Sequence, residues 1–118
     1  MAKDSVFTAH VLDQMQWFAP VTARRMFGGT GLFLEELMFA LIFDNTLYLK
    51  ADSQSLSDFE VQGLQPFSYE RGGREIALSY FQAPEEALDD KDVLLDWASR
   101  AYAAALRAAA AKRRPSPI

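Results

Sequence analysis

The run Leu37-Met38-Phe39-Ala40-Leu41-Ile42-Phe43, seven apolar residues without interruption, constrains this chain most. Strand side chains alternate between two faces, so a run with no polar member is buried on both. It is far shorter than the roughly 18 apolar residues of a membrane span. A central strand fits it, covered on each face by its own chain or by a second copy. With 118 residues the chain builds one domain around such a strand.

The flanking sequence reads as a sheet. Residues 21–27 form an extended piece, broken by Gly28 and Gly29, and residues 30–35 form another. Glu35-Glu36 is a tight turn lacking glycine. Asp44-Asn45 supplies side chains that tolerate the left-handed conformations of a hairpin. Leu47, Leu49 and Ala51 then alternate with Tyr48, Lys50 and Asp52, as in a half-solvated strand. Residues 66–70 and 75–81 are two further strands joined through Arg71-Gly72-Gly73-Arg74.

Three helical segments complete the pattern. Asp4 or Ser5 caps a helix over residues 5–18, with Phe7, Val11, Met15 and Phe18 on one face and Pro20 as its stop. Residues 53–62 form a short helix ended by Gly63. A long helix follows the acidic step Asp89-Asp90 and carries Val93, Leu94, Trp97, Ala101 and Ala105. Nine of the fourteen residues 98–111 are alanine, the strongest helix former. The order is helix, three or four strands, helix, two strands, helix. Short links between strands make the sheet antiparallel, so the class is α+β with helices packed on a sheet. Residues 1–114 form the domain and 115–118 a frayed tail.

Charge and composition exclude several chemistries. Without cysteine there is no disulfide framework, thiol nucleophile or cysteine zinc site, and one histidine, His10, makes no cluster. Residues 85–96 hold six acids and one lysine, whereas residues 100–118 hold five basic residues and no acid. A helix with acids at its start and bases at its end accounts for that asymmetry through its macrodipole. The acids Glu85, Glu86, Asp89, Asp90 and Asp92 lack the spacing of a calcium loop and read as a solvated face. The net charge of −4 disfavours nucleic acid as the main partner. Ser68 and Ser79 lie in strand patterns with no nucleophile turn. The sequence lacks a long apolar leader, and a cytoplasmic protein without a membrane segment is expected.

The glycine cluster Gly28-Gly29-Thr30-Gly31 fails as a phosphate cradle. No glycine stands at Leu34 to complete a dinucleotide fingerprint, no Lys-Ser/Thr pair follows, and the cluster leads into a strand. A bulge or close strand approach explains it. In a strand, Arg24 and Arg25 point to opposite faces, leaving one for an anion or partner while the other packs or pairs with a carboxylate. Trp17 and Trp97 lie within apolar helical patterns and suit a core or an interface.

The stretch Ala23-Arg24-Arg25-Met26-Phe27-Gly28-Gly29-Thr30-Gly31-Leu32-Phe33 resembles the signature of the TfoX/Sxy N-terminal domain. The blocks Met38-Phe39-Ala40-Leu41-Ile42, Leu47-Tyr48-Leu49-Lys50, Pro66-Phe67-Ser68-Tyr69, Ser79-Tyr80-Phe81 and Pro84-Glu85-Glu86 match in the same order, over residues 7–104. The resemblance implies a two-layer, secretion-chaperone-like fold, α-β(3)-α-β(2)-α, with about five antiparallel strands. It implies a non-enzymatic module of bacterial competence regulators, standing alone without their C-terminal domain, with protein partners in the transcription machinery. It implies no catalytic residue, cofactor or metal. The motif positions Arg24, Arg25, Met26, Phe27, Gly28 and Gly29 are the candidate family surface. Two readings compete: DNA binding through Arg24, Arg25 and the basic end Lys112-Arg113-Arg114, and a small-ligand module or unrecognised enzyme beside the glycine cluster. Homodimerisation through the doubly apolar strand is a further expectation.

Overall fold

The computed structural model describes residues 3–26 and 28–113, with the side chains of 3–5, 69–71, 74–78 and 113 outside that description. Phe27, Arg114 and the tail 115–118 therefore lie outside the described residues, as do the side chains of Asp4, Ser5 and Arg113. Helix α1 (Lys3–Met15) leads into strands β1 (Thr22–Met26), β2 (Gly29–Leu34), β3 (Leu37–Phe43) and β4 (Thr46–Lys50). Helix α2 (Leu56–Glu60) precedes strands β5 (Pro66–Arg71) and β6 (Arg74–Gln82). Helices α3 (Glu86–Asp89) and α4 (Lys91–Arg113) close the domain. The six strands form one antiparallel sheet in the order β1-β2-β3-β4-β6-β5. The α+β class stands. The strand count is one above that implied by the resemblance, because β1 to β4 are four strands where the family pattern has three.

Three of the sheet's hairpins have two-residue turns in which both residues take positive φ, as a type I′ turn requires. Gly72 and Gly73 adopt φ of 59° and 79°, and Asp44 and Asn45 adopt 51° and 57°. Glu35 and Glu36 take 50° and 71° without the help of glycine. Helix α2 stops in a Schellman arrangement: the N–H of Leu64 donates to the Phe59 carbonyl at 3.1 Å and that of Gly63 to Glu60 at 3.0 Å. Gly63 supplies the required φ of 68°. Helix α1 ends earlier than its apolar spacing predicts. After Met15 the chain tightens, with Trp17 N–H donating to Gln14 and Phe18 N–H to Met15. That last turn keeps Phe18 against the core and swings Trp17 outward, 64% exposed, beneath the Lys91 ammonium at 4.3 Å.

Helices α1 and α4 cover one face of the sheet. Val11 and Met15 of α1 and Leu94, Trp97, Ala98, Ala101 and Ala105 of α4 bury against Leu32, Ala40, Ile42, Leu47 and Leu49. A register shift between Leu32 and Phe33 leaves Phe39 unpaired in β3. This bulge turns Phe39 to the helical face beside Ala40, where its ring meets Phe18 at 5.8 Å and Tyr102 at 6.0 Å.

The other face is covered by the sheet itself. In a flat sheet of this order β3 and β5 would lie about 14 Å apart, three strand spacings. Instead the ring of Phe67 on β5 stands 5.4 Å from Phe43 on β3 and 5.0 Å from Tyr48 on β4. The register shift between Pro66 and Ser68 falls at this residue, and a bulge strengthens twist at such a point. Tyr80 on β6 likewise reaches over β4 to donate its hydroxyl to the Met38 carbonyl at 3.3 Å. The sheet thus curls over Leu41, which is fully buried, and Phe67, which is 1% exposed. The apolar run has cover on both faces from within one chain.

Helix α4 is fixed at its start and again at Arg107. The Asp90 carboxylate accepts from the N–H groups of Asp92 at 2.9 Å and Val93 at 3.3 Å, capping its start. Further along, the Arg107 guanidinium makes a two-point contact with Asp52, with Nη2 2.9 Å from Oδ1. Asp52 also accepts from the N–H groups of Gln54 and Ser55 ahead of α2, so one carboxylate joins β4, α2 and α4. None of the described helices is long and apolar enough to cross a membrane.

Candidate functional site: the exposed edge strand

Strand β1 forms one edge of the sheet and, among the described residues, pairs only with β2. Thr22, Ala23, Arg24 and Arg25 are all exposed. The register places Arg24 opposite Gly31 and Arg25 opposite Thr30, so the two guanidinium groups leave opposite faces, as strand alternation predicts.

Arg24 lies on the curled face. It stacks 4.5 Å above the Phe33 ring and stands 3.8 Å from the Glu36 carboxylate in the β2–β3 turn. Both partners are well exposed, so this ion pair orients the side chain more than it stabilises the fold. Arg25, on the face that carries the helices, makes no ion pair among the described residues. The two expectations for this dipeptide are therefore divided between its members: Arg24 packs and pairs, and Arg25 is open.

The glycines are explained by packing. A Cβ at Gly29 would stand 2.2 Å from the Ile42 carbonyl oxygen, and one at Gly31 would stand 2.7 Å from Met26 Sδ and 3.1 Å from Phe33. Gly28 turns the hairpin with φ of 79°. Met26 lies over the gap at Gly31, near Phe33 and Met38. Within the motif, Gly28, Gly29 and Met26 thus shape the β1–β2 hairpin, while Arg24 and Arg25 project from it. The close strand approach read from the glycine cluster is what the backbone does.

A feature the sequence did not reveal adjoins this edge. At the head of β1, Leu12, Gln16, Ala19, Pro20 and Val21 line an open, mainly apolar cleft of about 450 Å³. It arises where α1 tightens before Pro20, and only the end of that helix could have signalled it. The other residues singled out in the sequence lie elsewhere. His10 is exposed, with Nε2 3.5 Å from the Leu88 carbonyl. Trp97 is buried against Phe59 at 5.1 Å. Glu85, Glu86, Asp89, Asp90 and Asp92 are solvent-exposed. No group of histidine and acidic residues that could hold a metal occurs among the described residues. Lys112 is exposed on the last turn of α4.

The family model described as TfoX N-terminal domain matches residues 13–105, which include the edge strand, its glycine hairpin and most of the long helix. The chain is also 36% identical over 62 residues to "DNA transformation protein TfoX1" of Aliivibrio fischeri (strain ATCC 700601 / ES114). That match covers 52% of this chain and 30% of the relative, so the chain spans less than a third of the protein it resembles. The motif, the order of its blocks and the family match over most of its length agree: the chain belongs to the TfoX N-terminal domain family.

Proposed function

We propose that this domain is a non-enzymatic regulatory module that engages a protein of the transcription machinery through the exposed edge of β1. The observation that supports this reading most is the conjunction, among the described residues, of an unpaired strand edge, an arginine without an ion pair and an apolar cleft at the strand's head. An extended segment added to β1 would gain main-chain hydrogen bonds from the edge, an acidic partner for Arg25 and a socket for one apolar side chain. The name of the Aliivibrio fischeri relative, which concerns DNA transformation, favours a competence-related setting. With a net charge of −4, the chain suits acidic duplex DNA less well than an acidic peptide strand contacting a local basic edge.

The test is a pull-down from cell extract with the wild-type chain and with Arg25→Glu, whose fold is checked by circular dichroism. Recovery of a transcription factor or polymerase subunit by the wild type, reduced at least tenfold by the substitution, is the expected outcome. Equal recovery by both proteins, or recovery of nothing but the bait, contradicts the reading. A fluorescence titration with duplex DNA at low salt tests the competing use of Arg24, Arg25 and the basic helix end, which requires affinity that falls steeply as salt rises.

A further inference from the structure

A second cleft, of about 220 Å³, lies where the last turns of α4 pass the ends of β3, β4 and β6. Leu37, Met38 and Tyr80 form the sheet side. Ala105, Ala108 and Ala109 form the helix side, with Lys112 on the same helical face at the rim. Small alanine side chains on that face leave the space open between helix and sheet.

The polar end of the cleft is cationic. Lys50, half-buried, donates from Nζ to Ser79 Oγ at 2.8 Å and lies 5.3 Å from the centre of the Tyr80 ring. Burial, and then the neighbouring charge of Lys112, hold the Lys50 amine below the ordinary lysine range. Two ammonium groups in one cleft repel each other unless an anion lies between them. The charge of Asp52, the acid closest in sequence, offsets this in part, but its carboxylate is held by Arg107. Tyr80 supplies no charge, since burial pushes its phenol up to about 12 and its hydroxyl donates to the Met38 carbonyl.

We propose that this cleft binds a short aliphatic carboxylate, its two oxygens held by Lys50 and Lys112 and its tail lying between Tyr80, Met38 and the alanine face of α4. The volume is below the roughly 300–1,000 Å³ of drug-sized sites, which limits the occupant to a few carbon atoms. Among the described residues, no arginine, the residue whose fork matches a phosphate, lines the cleft. Two point-charge ammonium groups over apolar walls suit a monoanion with a tail better than a bare oxyanion. This site lies apart from the β1 edge and stands whether or not that edge binds a protein.

The test is an amide-detected NMR titration of the full chain with sodium butyrate, sodium acetate, inorganic phosphate and butylammonium chloride at constant ionic strength. Saturable shifts centred on Met38, Lys50, Tyr80, Ala105 and Ala109 are expected with butyrate. Acetate, which lacks two methylene groups to bury, should bind about tenfold more weakly. Butylammonium should produce no shifts there. Two variants should each abolish the butyrate shifts: Lys50→Met removes the charge, and Ala109→Leu fills the cleft while keeping both lysines. Phosphate binding as tightly as butyrate, equal shifts with butylammonium, no saturable shift with butyrate, or butyrate shifts unchanged in folded Lys50→Met or Ala109→Leu protein would each overturn the proposal.

Discussion

At Gly29 and Gly31 the cost of a methyl group depends on what it would meet. At Gly29 it would meet the Ile42 main-chain oxygen at 2.2 Å, which cannot move without disturbing the β2–β3 ladder. At Gly31 the nearest obstacle is Met26 Sδ at 2.7 Å, near the end of a flexible side chain. Urea unfolding should therefore find Gly29→Ala destabilised by about 3 kcal/mol and Gly31→Ala by about 1 kcal/mol. The cluster was legible as a close strand approach because it lacks both the spacing and the following helix of a phosphate site. The Asp52–Arg107 contact was not legible, since the partners are 55 residues apart and no local pattern joins them. Hydrogen bonding to Arg107 holds the Asp52 carboxyl well below the usual carboxylate range, with further support from the Ser55 N–H. Because its folded pKa is depressed, its contribution is fully present above the unfolded value near 3.9 and disappears as pH falls towards the folded one. The stability gap between wild type and Asp52→Asn, measured by urea unfolding, should be constant from pH 8 to 6 and narrow steadily below about pH 4. A gap independent of pH down to pH 2 would contradict this assignment.

At the scale of elements, hairpin chemistry was the most readable part of the chain. Gly72-Gly73 and Asp44-Asn45 announce left-handed turns by residue type, and both pairs adopt them. Glu35-Glu36 adopts the same turn against its preference, because a two-residue connection between twisted strands leaves little other choice. The double substitution Glu35→Asn with Glu36→Gly installs the pair such a turn prefers, and should raise stability by about 1 kcal/mol in urea unfolding. The loss of the exposed Arg24–Glu36 pair should subtract little. Unchanged or lower stability would show that the glutamates relieve the turn in some other way. The bulge at Phe39 and the early end of α1 escaped sequence reasoning for one reason. Local periodicity records apolar positions, whereas register and helix termination here are set by packing among Phe18, Phe39 and Tyr102.

For the whole molecule, the apolar run Leu37–Phe43 correctly marks a strand buried on both faces. Its alternation cannot say what supplies the second cover. The curl that brings Phe67 and Tyr80 over Leu41 supplies it within one chain, so the run by itself no longer calls for a second copy. The same sheet leaves β1 uncovered at its far edge, beside the cleft at residues 19–21. Whether this edge receives a partner strand is read at the strand itself by hydrogen exchange followed by mass spectrometry. The domain is compared alone and in complex with the protein it recovers from extract. Edge pairing predicts that the amides of residues 22–26 slow at least tenfold in the complex, while the interior strand β3 is unchanged. A stable complex in which residues 22–26 exchange as fast as in the free domain would contradict it.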